Sequence, residues 1–132
     1  MNVLLSIKPI YAAMILADMK RYEYRRVIFS TPNIDKVYIY ASSPIKRVVG
    51  EFKVDVIIDD TPQRIWERTH EWGCIGKEDF FDYFKGADKA FAIAIKDVVR
   101  YDTPIPLSFR PPQNYRYCEV LDNPKNIHSP SW

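Results

Sequence analysis

Seven residues from Lys20 to Arg26 combine five charged side chains with two tyrosines, and they are the strongest candidate for chemistry in the chain. Alternation along an extended strand places the two tyrosines on one face. The opposite face then carries Arg21, Glu23 and Arg25, which is a carboxylate between two guanidinium groups. A carboxylate accepts hydrogen bonds from an exocyclic amine and guanidinium groups bind phosphate, so this face fits a polar ligand. The alternative is a solvated strand face whose ion pairs each contribute little stability.

The composition predicts one globular domain in a reducing compartment. The chain has 132 residues, and 47% of them are hydrophobic. Its formal net charge of +2 allows a local basic patch but argues against a large basic surface that binds a polyanion. Cys74, Cys118, His70 and His128 belong to no metal-binding or disulfide motif, so we expect no metal, no cofactor and no disulfide. The N-terminus does not resemble a signal peptide, and no segment reaches the ~18 apolar residues of a membrane helix. We therefore expect a cytoplasmic protein without a membrane partner.

The elements that must position the charged stretch begin with a strand at Val3–Ile7 and a helix that starts at Pro9, a residue favoured in the first helical turn. The helical spacing of apolar residues predicts a buried stripe of four side chains: Ile10, Ala13, Met14 and Ala17. Asp18 is expected to end this helix, because aspartate adopts the left-handed conformation more readily than most residues.

Three strands are predicted next, at Lys20–Phe29, Val37–Ser42 and Arg47–Asp59. The third strand has the clearest alternation in the chain and predicts buried side chains at Phe52, Val54 and Val56. Gly50 falls within it and indicates a bulge or a close backbone approach. A strand of this length is expected to bend, as barrel strands do.

The second half of the chain predicts two helices and then two more strands. Thr61 and Pro62 start the first helix, whose buried side is expected to include Trp72, and a second helix is expected at Lys77–Lys85. The strands are predicted at 90–99 and 114–121, and the proline-containing segment 102–107 between them is expected to be extended but not an inner strand. Residues 1–121 are thus expected to form a single α+β domain, with 122–132 as a flexible tail. The fold class is a small, bent β-barrel with one early helix and two helices in a central insertion.

Two motifs make the chain similar to the ASCH domain family of the PUA-like superfamily. The family pattern Gly-x-Lys-x-x-Glu-x-Arg follows the first helix, and Lys20, Glu23 and Arg25 match it, whereas Asp18 stands in place of the glycine. The segment Ser6-Ile7-Lys8-Pro9 resembles the family's start. The resemblance extends from residue 3 to about residue 120. It implies a β-barrel with a cleft beside the motif that binds RNA or nucleotide-like ligands.

The candidate ligand site collects residues from several strand ends, because strand ends that converge on one mouth commonly form a binding site. The candidate residues are Ser6, Lys8, Lys20, Glu23, Arg25, Tyr40, Ser42, Ser43, Lys46, Arg110 and Gln113. Among the tyrosines, Tyr11, Tyr38 and Tyr40 are the better candidates for stacking on a base. In this interpretation Lys20 and Arg25 contact a phosphate and Glu23 reads the base.

Two other functions stay open beside an RNA- or nucleotide-binding module. The resemblance also implies hydrolysis, since some ASCH proteins cleave acetylated cytidine with a lysine and a threonine three residues later, and others have been proposed as ribonucleases. Here Lys20 matches the lysine, but Glu23 replaces the threonine and would have to act as a general base on water. The remaining alternative is an interaction domain without a ligand. The sequence leaves the oligomeric state open.

Overall fold

The computed structural model describes residues 1–30 and 33–121, and the predicted flexible tail 122–132 lies outside the described residues. Within them the elements follow in the predicted order. They are β1 (Asn2–Ile7), α1 (Pro9–Leu16), β2 (Tyr22–Arg25), β3 (Val37–Ala41), β4 (Arg47–Asp60), α2 (Pro62–Thr69), a 3-10 turn (His70–Trp72), α3 (Lys77–Tyr83), β5 (Ala90–Ile105) and β6 (Tyr115–Cys118). No helix in this part of the chain is long and apolar enough to cross a membrane.

The described strands form one mixed sheet in the order β2-β5-β4-β3-β1-β6. In this sheet β1 and β3 run parallel, and the other neighbours run antiparallel. The sheet curls into a half-barrel, which confirms the predicted small, bent α+β fold. Because β2 and β6 are its two edges, the barrel is not closed by backbone pairing.

The long strand β4 has register shifts of the kind that bend a strand, and the alternation does not hold along its whole length. Phe52 is fully buried and Val54 packs against the same core, as predicted, whereas Val56 is 51% exposed and its predicted burial is wrong. The pairing of β4 with β5 shifts register between Val54 and Val56, and such a shift moves later side chains to the other face. Gly50 lies at another of these shifts, as expected for a bulge.

Helix α1 starts at Pro9 as predicted, but it buries a different face. Ala12 and Ile15 are buried, whereas Ile10, Ala13 and Ala17 of the predicted stripe are exposed. Every residue of this helix is apolar, so its pattern does not indicate which face meets the sheet. The predicted end is confirmed, because Asp18 has a φ of 61° and its N–H donates to the carbonyl of Ile15.

Strand β2 is four residues long, not the ten predicted, because β5 offers it partners only from Phe91 to Ala94. Beyond Arg25 the chain leaves the sheet, and Phe29 packs into the main core beside α1. Strand β5 is longer than predicted and includes Pro104. That part of β5 pairs with β4 alone, which agrees with the expectation that a proline cannot occupy an inner strand.

The insertion helices pack on the small-residue face of β5. Ala90 and Ala92 of β5 form a buried cluster with Tyr24, Ile65 and Phe80. The small alanine side chains on this face of β5 let the helices pack closely against the strand. Trp72 was predicted to join the buried side but is 48% exposed, since α2 ends at Thr69 and the 3-10 turn carries the indole outward.

Candidate functional site

A cleft of about 500 Å³ opens where the end of β1, the strand β2 and the helix α3 come together. It is lined from β1 and α1 by Ser6, Ile7, Lys8 and Tyr11, from β2 and the turn before it by Lys20, Glu23, Tyr24 and Arg25, and from α3 and its leading turn by Ile75, Asp79, Asp82 and Tyr83. A cavity of this size holds a nucleotide-sized ligand.

Lys20 is 2% exposed and occupies the floor of the cleft. Its ammonium group donates to the carbonyl oxygen of Gly73 and lies 3.9 Å from Oε1 of Glu23. The same nitrogen sits 5.1 Å from the ring centre of Tyr11 and 4.9 Å from that of Tyr24, so two aromatic faces contact the cation. Burial lowers the pKa of Lys20, and the nearby Glu23 carboxylate offsets part of this effect.

Glu23 and Arg25 continue the polar chain that Lys20 begins. Oε2 of Glu23 lies 3.6 Å from Nε of Arg25, and Nη2 of Arg25 donates to the carbonyl oxygen of Ser6 at 2.8 Å. Glu23 is 6% exposed, so it is not part of a solvated strand face. Arg21 does not join the group, because its guanidinium stacks 4.8 Å from the ring centre of the exposed Trp72. On the β2 side of the cleft, one carboxylate thus lies between a lysine and one arginine.

Five of the residues selected from the sequence line the cleft: Ser6, Lys8, Lys20, Glu23 and Arg25. Ser42, Ser43 and Lys46 do not line it, although the N–H of Ser42 donates to the carbonyl of Ile7 at the end of β1. This arrangement follows from the parallel pairing of β1 and β3, which brings their carboxyl ends to one edge.

The proline-rich loop reaches the cleft through its backbone. The hydroxyl of Ser6 donates to the carbonyl oxygen of Pro112, and the carbonyl oxygen of Asn114 lies 3.5 Å from Nη2 of Arg25. The side chains of Arg110 and Gln113 are exposed and do not line the cleft.

Tyr40 and Tyr38 cannot stack on a ligand. They are 5% and 1% exposed and belong to a core cluster with Leu4, Val48 and Tyr101. All five residues of β3 are buried, because other parts of the protein cover both faces of this strand. Alternation along a strand indicates one buried face, and it does not reveal that the second face is covered as well. Tyr11, in contrast, is partly exposed and lines the cleft.

Sequence reasoning missed the wall that α3 contributes, above all Asp79 and Asp82. Their spacing of three residues places them on one face of the helix, away from the buried Phe80. That spacing was visible in the sequence, but the sequence could not show that this face of α3 lines a cleft together with β2. No group of three or more His, Cys, Asp or Glu side chains among residues 1–30 and 33–121 is arranged to hold a metal ion.

The chain is similar to proteins of known fold and name. No protein-family model matches it. It is 28% identical over 133 residues to the "ASCH domain-containing ribonuclease" of Zymomonas mobilis, a match that covers 96% of this chain and 90% of that protein. It is 29% identical over 110 residues to the large ribosomal subunit protein uL22 of Ureaplasma parvum, but this match covers 81% of the chain and 34% of that protein.

Solved structures show the same fold. The crystal structure of ASCH from Zymomonas mobilis superposes with a TM-score of 0.83 at 27% identity and covers 89% of this chain and 87% of that one. A point mutant of the Zymomonas mobilis protein also gives a TM-score of 0.83, with 24% identity and coverage of 97% and 94%. The similarity in sequence and in fold to that protein therefore extends over nearly the whole chain. These findings support an ASCH domain in this chain.

Proposed function

We propose that this ASCH domain binds RNA or a nucleotide-like ligand in the cleft and that Arg25 contacts a phosphate there. The observation that carries the proposal is a guanidinium group fixed at the wall of a cavity of about 500 Å³. Arg25 is held by the carbonyl of Ser6 on one side and by Glu23 on the other. A cation that is already held in place loses little conformational freedom when a phosphate binds. The name of the Zymomonas mobilis relative, a ribonuclease, supports an RNA ligand.

The two lysines of the cleft, Lys8 and Lys20, have different roles in this proposal. Lys8 is exposed, and its side chain has no ion-pair partner in the part of the chain that the structure describes, so it is free to reach a second phosphate. Lys20 is buried and bound to Gly73, so it contributes positive potential and holds Glu23, and it can contact only a ligand atom that reaches the floor of the cleft. Tyr11 lies beside Lys20 and offers a partly exposed ring on which a base can stack.

Arg25→Ala tests this proposal in a titration of short labelled RNAs and mononucleotides at several salt concentrations. Loss of one phosphate contact should weaken binding and reduce the slope of log K against log salt by about 0.7 for a single strand. Arg64→Ala is the matched control, because Arg64 is exposed on α2 and does not line the cleft. Circular dichroism verifies that both variants are folded. Identical titration curves for wild type and folded Arg25→Ala would show that the cleft is not the phosphate site.

A second candidate function is cleavage of the bound RNA, and the pair formed by Lys20 and Glu23 favours it. A lysine of lowered pKa is a better proton donor than an ordinary lysine, and it lies 3.9 Å from a carboxylate that can accept a proton. In the proposed step Glu23 takes the proton of a 2′-hydroxyl, and the 2′ oxygen bonds to phosphorus. The 5′ oxygen then leaves with the proton of the Lys20 ammonium, which yields a 2′,3′-cyclic phosphate and a free 5′-hydroxyl.

Glu23→Gln separates cleavage from binding. Removal of a general base should lower the cleavage rate by about 10²- to 10⁴-fold while binding of an uncleavable 2′-deoxy analogue persists. Glu67→Gln on α2 is the control, since it removes the same charge outside the cleft. Release of acetate from acetylated cytidine is measured in parallel for the amidohydrolase alternative. If wild-type protein binds RNA but turns over neither substrate, the binding function stands and the hydrolase candidate is wrong.

A further inference from the structure

We propose that Asp79 and Asp82 read the base of the bound nucleotide and select guanine. This inference rests on the proposed function, because it assigns the base-binding side of the same cleft. The two aspartates, called here the acidic wall, face a cleft whose cations all come from other elements: Lys8 beside α1, Lys20 before β2 and Arg25 in β2. The cleft therefore has a cationic side for a phosphate and a carboxylate side for a group that donates hydrogen bonds.

Glu23 is poorly placed to read a base. It is buried, and its two oxygens already face Lys20 at 3.9 Å and Arg25 at 3.6 Å. The carboxylates of the acidic wall are exposed. Within residues 1–30 and 33–121 neither of them has a hydrogen-bond or ion-pair partner for its side chain. Among the described residues that line the cleft, the carboxylates without an ion-pair partner thus belong to α3 and not to β2.

The acidic wall faces the aromatic ring expected to carry the base. Tyr11 and Asp79 both line the cleft. In agreement with this placement, the negative charge of Asp79 contributes, after burial, to raising the pKa of the Tyr11 phenol. A base stacked on Tyr11 would present its edge toward Asp79. The spacing of three residues puts Asp82 one helical turn further along the same face.

Two cations attach the helix insertion to β2 and fix the wall in place. Nη1 of Arg26 donates to the carbonyl oxygens of Tyr83 at 2.7 Å and Lys85 at 3.0 Å, at the carboxyl end of α3. The ammonium of Lys20 donates to the carbonyl of Gly73 before the helix begins. The wall is therefore held at both ends, which gives it the fixed geometry that selective hydrogen bonding requires.

The chemistry of a carboxylate distinguishes guanine from the other bases. An ionised carboxylate offers two acceptors and no donor. The Watson–Crick edge of guanine presents two adjacent donors, the ring N1–H and the exocyclic N2 amine, and both can bond to one carboxylate. Adenine and cytosine place a ring acceptor beside their amine, and uracil places carbonyl oxygens on both sides of its N–H. Each of these would bring a lone pair against a carboxylate oxygen.

The test measures binding of GMP, IMP, AMP, CMP and UMP, and of short RNAs with one varied base, to wild type, Asp79→Asn and Asp82→Asn. Wild type should prefer GMP over the others by about 5- to 100-fold, the discrimination of a good bidentate contact. IMP, which lacks the N2 amine, should lose most of this preference. In at least one aspartate variant the preference of GMP over IMP should fall toward unity. Glu78→Gln is the matched control, because it removes the same charge from the same helix outside the cleft and should leave the preference unchanged.

The outcomes separate this inference from the proposed function. Nucleotide binding that depends on Arg25 but is equal for all five mononucleotides would leave the proposed function in place and overturn the assignment of guanine. A guanine preference that survives both aspartate variants would overturn the role of the acidic wall. Affinity for AMP should stay the same or rise in the variants, since the carboxylate that repels the ring nitrogen of adenine is removed. A parallel loss of all five ligands would indicate that the aspartates hold the structure and do not read a base.

Discussion

Buried titratable side chains decide how the residues beside the cleft respond to pH. Lys20 has a lowered pKa, so in the range between that pKa and 10.5 the unfolded chain holds more protons, and the contribution of Lys20 to stability rises with pH. The contribution of Tyr24 to stability falls as the pH rises, because burial raises the pKa of its hydroxyl to about 12. Its hydroxyl lies 2.7 Å from Oγ1 of Thr69, whose own hydrogen goes to the carbonyl of Ile65. Tyr24 is therefore the donor.

Tyr24→Phe should lower the free energy of unfolding near neutral pH by about 1 kcal/mol, the net value of one buried hydrogen bond. The substitution should also change the alkaline behaviour. The pKa of tyrosine is about 10 in the unfolded chain, whereas burial raises the pKa of Tyr24 to about 12 in the folded protein. The stability that Tyr24 contributes is therefore complete below pH 10 and is lost toward pH 12. Urea unfolding at a series of alkaline pH values measures this loss of stability. Parallel stability curves for wild type and variant across that range would contradict the assignment.

At the scale of elements, two long strands with register shifts support the rest of the fold. β4 and β5 pair along most of their length, and three irregularities interrupt that pairing. Gly50 stands at one of them, under α1. A Cβ built on Gly50 would overlap the carbonyl oxygen of Val99 and lie 2.6 Å from Cδ2 of Leu16. The helix and the neighbouring strand thus approach the backbone at a point where only glycine fits.

Gly50→Ala should destabilise the domain by about 1–3 kcal/mol or more, because the closest atom belongs to a backbone that cannot rotate away as a side chain can. Gly76→Ala is the control. A Cβ at Gly76 meets no atom within 4 Å, so its cost should be limited to about 1 kcal/mol from a less favourable residue at the N-terminal cap of α3. Urea unfolding measures both variants. Equal stability of Gly50→Ala and wild type would show that the approach is looser than described.

On the scale of the whole molecule, the cleft occupies the gap that the open sheet leaves. β2 is one edge of the sheet, and β1 lies next to β6, the other edge. The hydrogen bond from Arg25 to the carbonyl of Ser6 joins β2 to β1 across this gap, and Ser6 in turn bonds to Pro112 ahead of β6. Side chains therefore do here what backbone pairing does in a closed barrel. Because Arg25 also helps to hold the two edges together, binding measurements on its variants need the folding check described above.

The two edge strands of the open sheet are short. β2 and β6 have four residues each, so little unpaired backbone is presented to another chain. One edge is further covered by the cleft and the helices of the insertion, which Arg26 attaches to β2. The architecture thus combines an incomplete barrel with a polar pocket at its opening. The same residues serve closure and the proposed ligand site.

The amino-acid sequence by itself determined the features that depend on neighbours along the chain. The order of the elements, the helix starts at Pro9 and Pro62, the left-handed end at Asp18 and the bulge at Gly50 were predicted correctly. Each of these follows from backbone preferences of single residues or from a strand period of two. The motif of Lys20, Glu23 and Arg25 was likewise visible, and the structure brings its three side chains into one cleft.

Only the tertiary structure decided which surfaces are covered and which elements meet. Helix α1 is apolar on every side, so packing against the sheet selected its buried face. Tyr40 is removed from the site because both faces of β3 are covered, and Val56 is exposed because a register shift with β5 reverses the alternation. The acidic wall of Asp79 and Asp82 meets β2 although more than fifty residues separate them along the chain. A local pattern specifies the faces of an element, but the partner that each face meets depends on long-range packing, which local periodicity does not encode.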